Sequence, residues 1–272
     1  VISMIGACFE TDECFAFVKK YNSDNWENKE IIILDGGVST EIQKRGVSMD
    51  DDVWSGIAHI THPEITLQVH EDYIRAGSQV ITANTYSTAR HVLESINMGD
   101  KVRSINEEAV NLAMKARDNA ADHEVWVAGS ISSMAPFNNE EEVALGESVE
   151  SNYREMAEIL AESGVDLLIV EMMRETINSI LVIEAALSTG LPVWIGYSAM
   201  LADDGKNVIN WRWKNVKSKP PAGDFEKLVK ATTHLGGDAA GIMHSQVRDI
   251  EPALKVMSKH WNGPKLIYAE TG

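Results

Sequence analysis

Cysteine is nearly absent: the 272 residues include only Cys8 and Cys14, too few for a disulfide framework. A reducing compartment, the cytoplasm, is the expectation. Positive charge is scarce too. The chain carries 24 Lys and Arg against 41 Asp and Glu, a net charge of −17. No basic cluster interrupts that excess, so nucleic-acid binding is not expected. Long apolar runs are missing. Ile31–Leu34 and Leu167–Val170 are strand-sized, far short of the roughly 18 residues of a membrane span. No Gly-x-Gly-x-x-Gly stands at a strand-to-helix turn, which argues against a dinucleotide-binding sheet. The opening Val1–Gly6 lacks a basic stretch and reads as a buried strand, not as a secretory leader.

The remaining composition, 44% hydrophobic and 24% charged, is that of a folded globular chain. Short apolar strands alternate with amphipathic helices throughout. Strands are expected at Val1–Ile5, Ile31–Leu34, Val80–Ala83, Val125–Gly129, Asp166–Glu171, Val193–Tyr197, Ala239–Met243 and Lys265–Tyr268. Helices are expected between them. Ala76-Gly77, Ser163-Gly164 and Thr189-Gly190 each mark a helix stop directly before a strand. Strands apolar on both faces are parallel strands covered by helices. Eight of them predict a (β/α)8 barrel of the TIM type in a single domain. Within it, residues 21–29 read as a polar linker and residues 30–272 as the first through seventh strand units.

The active site of such a barrel lies where the strands end. The predicted strands run into Asp35-Gly36-Gly37, Thr82-Ala83-Asn84-Thr85-Tyr86, Gly129-Ser130, Glu171, Tyr197-Ser198, His244-Ser245, Glu270 and Gly6-Ala7-Cys8. No lysine ends a strand, so Schiff-base chemistry is not expected, and no glycine-rich phosphate cradle is evident. An acidic mouth remains, rimmed by Tyr86, Tyr197 and Trp54, Trp211 or Trp213. It suits a small cationic or zwitterionic ligand.

Several of these segments resemble the homocysteine S-methyltransferase family. They are Leu34-Asp35-Gly36-Gly37-Val38-Ser39-Thr40-Glu41, the helix His70–Gly77 with Val80–Tyr86, Ile169-Val170-Glu171, and Gly241-Ile242-Met243-His244-Ser245 with Pro252-Ala253-Leu254. The resemblance spans about residues 31 to 272. It implies methyl transfer from a small sulfonium or ammonium donor to the thiol of homocysteine. By the same resemblance Asp35, Glu171 and Tyr86 would be catalytic. Gly36, Gly37, Thr82, Asn84, Thr85 and Tyr197 would line the substrates.

The family holds zinc through a cysteine ending its sixth strand and a Cys-Cys pair ending its eighth. Here His244 stands at the first position. Ile5-Gly6-Ala7-Cys8-Phe9 resembles the second, so residues 1–20 look like the last strand and helix written ahead of the first strand. A circular permutation, a neighbouring unit joined to the chain or a chain written in part would each give that order. The implied zinc ligands are His244 and Cys8, with a carboxylate such as Asp35 or Glu171 as a third.

Each residue alone also has a plainer reading. Asp35-Gly36-Gly37 can be a tight turn, Glu171 an ion-pair partner, His244 a hydrogen-bonded mouth histidine and Cys8 a small buried hydrophobe. His62, His70 and His91 read as structural or solvated, and Glu140–Glu142 as a solvated face. The second functional reading is a divergent barrel that has lost zinc and binds a small amine or amino acid or runs another reaction. A homo-oligomer stays open.

Overall fold

A computed structural model describes residues 31–133, 149–212 and 223–270, together with the backbone of residues 3–6. Eight parallel strands close into a barrel. In chain order its strands are β1 (Ser3–Gly6), β2 (Ile31–Leu34), β3 (Val80–Thr82), β4 (Trp126–Ser132), β5 (Leu167–Met173), β6 (Val193–Tyr197), β9 (Ala239–Gln246) and β10 (Lys265–Glu270). Around the barrel the order is β1-β10-β9-β6-β5-β4-β3-β2. β1 lies between β10 and β2, with Ile5 opposite both Ile267 and Ile33.

The helices cover the outside. They are α1 (Val38–Lys44), α2 (Ala58–Thr61), α3 (Pro63–Arg75), α4 (Arg90–Glu94), α5 (Val102–Ala120), α6 (Glu150–Glu162), α7 (Thr176–Leu187), α8 (Phe225–Thr232) and α9 (Val247–Met257). Gly77, Gly164 and Gly190 follow α3, α6 and α7 with φ of 102°, 86° and 76°. That left-handed geometry is what makes glycine the residue that stops a helix there.

Two short helices, α2 and α4, occupy segments that carried no helix expectation, because neither is long enough to show a period. After β6 the chain forms a two-stranded antiparallel ribbon, β7 (Ala199–Leu201) with β8 (Val208–Asn210). Residues 213–222, including Trp213, lie outside the described residues, as do Glu140–Glu142 and Cys8.

The core has two layers. A large cluster joins the outward faces of the strands to the helices, with Val127, Leu168, Ile195 and Ile242 against Leu160, Ile183, Leu228 and Ile250. A smaller cluster fills the barrel itself: Ile32, Leu34, Val80, Ala128, Leu167, Ile169, Trp194, Met243 and Leu266. Burial of such side chains is worth roughly 1.5–3 kcal/mol each. The interior is tight enough to dictate small residues. A Cβ on Gly241 would run into the Leu266 carbonyl oxygen, and one on Gly196 would run into Met243 Sδ.

Candidate active site

Two of the strands are irregular where they reach the mouth. On β5 the register with β6 shifts between Val170 and Met173, and Met172 has φ 57°. On β9 the register with β10 shifts so that Met243 faces Tyr268 and Ser245 faces Ala269, leaving His244 as the extra residue at φ 47°. These are β-bulges, which re-aim the side chains beside them. A left-handed non-glycine residue costs on the order of 1–3 kcal/mol, and such strain gathers at functional sites. Side-chain bonds hold both bulges in place. Ser133 Oγ donates to the Met172 carbonyl at 2.6 Å, Ser245 Oγ donates to the Met243 carbonyl at 2.9 Å, and the Ala199 amide donates to Ser245 Oγ at 3.0 Å.

The bulges bring Glu171 and His244 together. His244 Nε2 lies 2.7 Å from Glu171 Oε2, and its Nδ1 lies 3.5 Å from Glu270 Oε1. Glu171 is 6% exposed and also accepts from Ser130 Oγ at 2.5 Å. Tyr86 and Tyr268 flank the imidazole, with ring centroids 5.6 and 5.8 Å from it. Burial by itself would lower the His244 pKa. The two carboxylates outweigh it and raise it to about 9, so the ring is an imidazolium at neutral pH. Both tyrosine hydroxyls are pushed well above their ordinary value, first by burial and then by the surrounding carboxylates.

Asp35, fully buried where β2 ends, accepts from the Thr82 amide at 2.6 Å and from Thr82 Oγ1 at 2.9 Å. Burial drives its carboxyl up to about 7. The Thr82 bonds oppose the rise, and the charge of Glu171 adds to it. Thr82 is therefore the residue that positions Asp35. Gly36 is buried behind Asp35, and Gly37 is the exposed residue that caps α1.

Three expected substrate-lining residues face elsewhere. Tyr197 turns out of the barrel: its hydroxyl meets Thr232 Oγ1 of α8 at 2.7 Å and its ring packs edge-on against Phe225. As the last residue of β6 it falls on the alternating face that meets the helices. Asn84 donates to the Ser55 carbonyl at 2.7 Å and lies 3.2 Å from His59 Nδ1, tying the β3 loop to α2. Thr85 Oγ1 donates to the Ser130 carbonyl and accepts from its amide, fastening β3 to β4. Asn84 and Thr85 shape the wall from behind.

Sequence reasoning missed Arg174 and Tyr268. Arg174 follows β5 directly, and its guanidinium lies 5.6 Å from the Trp211 ring centroid. It also counters the carboxylates in the field at Tyr86. Its place three residues after Glu171 was the available signal.

The implied zinc can be tested against the donor set. Each ring nitrogen of His244 faces a carboxylate, and both oxygens of Asp35 are engaged by Thr82. Among the described residues no three His, Cys, Asp or Glu side chains are arranged to hold a metal ion. The other implied ligand, Cys8, lies outside the described residues, so of the implied set the structure describes His244 and the carboxylates Asp35 and Glu171, each already hydrogen-bonded within the protein. Among the described residues, too, no helix is long and apolar enough to cross a membrane.

Comparison with known proteins adds a lineage. The family model described as Homocysteine S-methyltransferase matches residues 32–272. A selenocysteine Se-methyltransferase from Brassica oleracea var. italica is 26% identical over 263 residues, covering 88% of this chain and 72% of the relative. A betaine–homocysteine S-methyltransferase from Mus musculus is 29% identical over 215 residues, covering 76% and 48%. Among solved structures, the homocysteine methyltransferase MmuM from Escherichia coli in its metallated form superimposes with a TM-score of 0.71. It shares 20% identity, over 93% of this chain and 87% of that one. At that identity the likeness establishes the shared barrel fold.

Proposed function

The chain belongs to the homocysteine S-methyltransferase family, and on that footing we propose that it moves a methyl group from a small sulfonium or quaternary ammonium donor to the thiol of homocysteine. The observation that carries this reading is the acidic cluster at the strand ends. Glu171 and Glu270 both face the His244 ring, between the rings of Tyr86 and Tyr268.

Both substrates carry positive charge, and the mouth answers each. The ammonium group of the amino acid pairs with Glu171 beside Asp35. Its carboxylate lies toward Arg174, which Trp211 braces from one face. The cationic donor rests against the tyrosine faces, where each cation–π contact is worth about 0.5–2 kcal/mol. The acceptor thiol loses its proton to water. Its sulfur then forms a bond to the methyl carbon while the donor's carbon–sulfur or carbon–nitrogen bond breaks. The bonding pair stays on the departing atom, so the donor leaves as a neutral sulfide or amine and the acceptor becomes a thioether. Opposite charges cancel along this path, and a site that excludes water favours it by removing the solvation of both ions.

The test is direct. Purified chain is incubated with homocysteine and, separately, S-methylmethionine, betaine or a dimethylsulfonio compound, and methionine is measured by mass spectrometry. Methionine formed from one donor and lost in Glu171→Gln supports the reading. Calorimetric binding of homocysteine with no methionine from any of them would replace it with a barrel that binds a small amino acid without methyl transfer.

A further inference from the structure

We infer that Arg174 and Trp211 make this site selective for thiols that carry an α-carboxylate, and that Trp211 is the residue that positions Arg174 for it. The inference rests on the methyl-transfer reading and deepens it, since it names what decides which thiols are accepted. It starts from charge. Asp35, Glu171 and Glu270 stand where strands end, in a chain of net charge −17. Such a mouth attracts any small amine. The carboxylate that an amino acid brings with its ammonium group is repelled there unless a fixed cation meets it. Arg174 follows β5 directly, three residues beyond Glu171, so both signs of charge stand at one strand end. The Arg174 charge is felt inside the site, where it opposes the carboxylates at the buried Tyr86 hydroxyl.

A guanidinium on a flexible stem recognises a carboxylate best when its plane is fixed. The Arg174 guanidinium lies over the Trp211 indole, 5.6 Å from the ring centroid. Stacking uses the face of a guanidinium. Its N–H donors lie along the edge, where one carboxylate takes two of them at once. Trp211 in turn is held through the backbone around it. The ribbon of β7 and β8 is fastened to the barrel by the Ala199 amide, which donates to Ser245 Oγ of β9 at 3.0 Å. The Leu201 amide donates to the buried Asp249 of α9 at 3.1 Å. Where the ribbon ends, the Asn210 amide donates to the Gly223 carbonyl and the Trp211 amide to the Ser198 carbonyl, each at 3.0 Å. Ile209 bridges to Asp224, whose side chain caps α8. Residues following β6, together with β9, α8 and α9, thus fix where one indole stands.

The consequence is a split between two thiols of nearly the same shape. 3-Mercaptopropylamine is homocysteine without its carboxylate. It keeps the ammonium group for Glu171 and the thiol for methylation, and it leaves Arg174 unanswered. Losing charge-assisted hydrogen bonds of this kind weakens binding by about 30-fold. Without the indole, the guanidinium keeps its charge and loses its alignment, so homocysteine binding weakens and 3-mercaptopropylamine binding does not.

The experiment compares those two thiols on the full chain. Each is titrated calorimetrically into the wild type, Arg174→Gln, Trp211→Leu, Trp211→Phe and Arg212→Gln, with circular dichroism to check each fold. The wild type should bind homocysteine about 30-fold more tightly than the amine. Arg174→Gln and Trp211→Leu should bring the two thiols within about threefold by weakening homocysteine alone, whereas Trp211→Phe, which keeps an aromatic face, should restore most of the difference. Arg212→Gln, which removes the neighbouring cation, should leave it unchanged. In turnover assays the loss should appear in KM for homocysteine and not in kcat. Equal affinities in the wild type would overturn the inference. So would Arg174→Gln weakening both thiols alike, Trp211→Phe failing as badly as Trp211→Leu, or Arg212→Gln abolishing the difference. Should Trp211→Leu fail to fold, Arg174→Gln and Trp211→Phe decide the matter. Methionine formed by a chain that binds both thiols equally keeps methyl transfer and removes this selectivity. The expected difference in affinity with no methionine from any donor does the reverse.

Discussion

The molecule buries histidines in two places and treats them oppositely. At the mouth, His244 lies between Glu171 and Glu270, and the carboxylates raise its pKa to about 9 despite burial. Under the β3 loop, His59 and His70 have no carboxylate beside them among the described residues, and burial lowers each to about 4. His59 lies 2.9 Å from the Ile105 carbonyl oxygen and 3.2 Å from Asn84. His70 is fully buried, and neither ring nitrogen has a hydrogen-bond partner among the described residues. Burial disfavours the charged form at both places. The neighbours alone decide whether the ring is a cation available for chemistry or a neutral piece of scaffold.

Removing one carboxylate breaks this contrast most sharply. Glu171→Gln leaves the His244 charge short of its close partner and deletes the proposed ammonium receiver. Losses of this kind run at about 2–5 kcal/mol. The expectation is a fall in kcat/KM of about 10³-fold in steady-state assays, with the barrel intact by circular dichroism. A loss under about tenfold would mean that Glu171 is structural only.

The two regions also predict opposite limbs of stability against pH. His59 and His70 have folded pKa values below the ordinary 6.5, so the unfolded chain takes up protons first as pH falls. The stability they contribute is present above about 6.5 and is lost as pH drops toward 4. Each ring accounts for about 2–3 kcal/mol by pH 4.5, since one pKa unit is worth about 1.4 kcal/mol. In His70→Leu the acid limb should shrink by about that amount in chemical denaturation at pH 7 and 4.5. An unchanged limb would show that the His70 ring is hydrated in solution. His244 behaves in reverse. Its folded pKa lies above 6.5, so its contribution is complete below 6.5 and is lost as pH rises through about 9. That alkaline limb should flatten in Glu270→Gln and persist in His70→Leu.

The smallest effect separates wall from mouth. Tyr197→Phe removes the hydroxyl that meets Thr232 on α8. About 1 kcal/mol of stability should go with that buried hydrogen bond, while kcat/KM stays as it was. A drop in kcat/KM with stability unchanged would return Tyr197 to the substrate side.

How much of this could be read from the chain follows from the range of each cause. The strands were legible because continuous apolar runs flanked by glycine stops are local patterns, and all eight expected segments fall on observed barrel strands. Asp35 and Glu171 were legible because the C-terminal end of a parallel strand points to one mouth. The ribbon of β7 and β8 and the short helices α2 and α4 were missed, being too short for a period to show. Tyr197 was misplaced because the alternation of side chains cannot be phased without a neighbouring strand, and the bond from Thr82 to Asp35, 47 residues away, was not legible for the same reason.

The amino-acid sequence by itself determined the alternation of strands and helices, the acidic character of the mouth and the family, since each is written in residues near one another. Only the tertiary structure decided the charge on each histidine. That charge depends on which groups lie within a few ångströms, and Glu171 and His244 are 73 residues apart in the chain. Two bulges and barrel closure bring them to 2.7 Å. No local pattern encodes that distance, because it is set by the register of strands that meet only when the barrel closes.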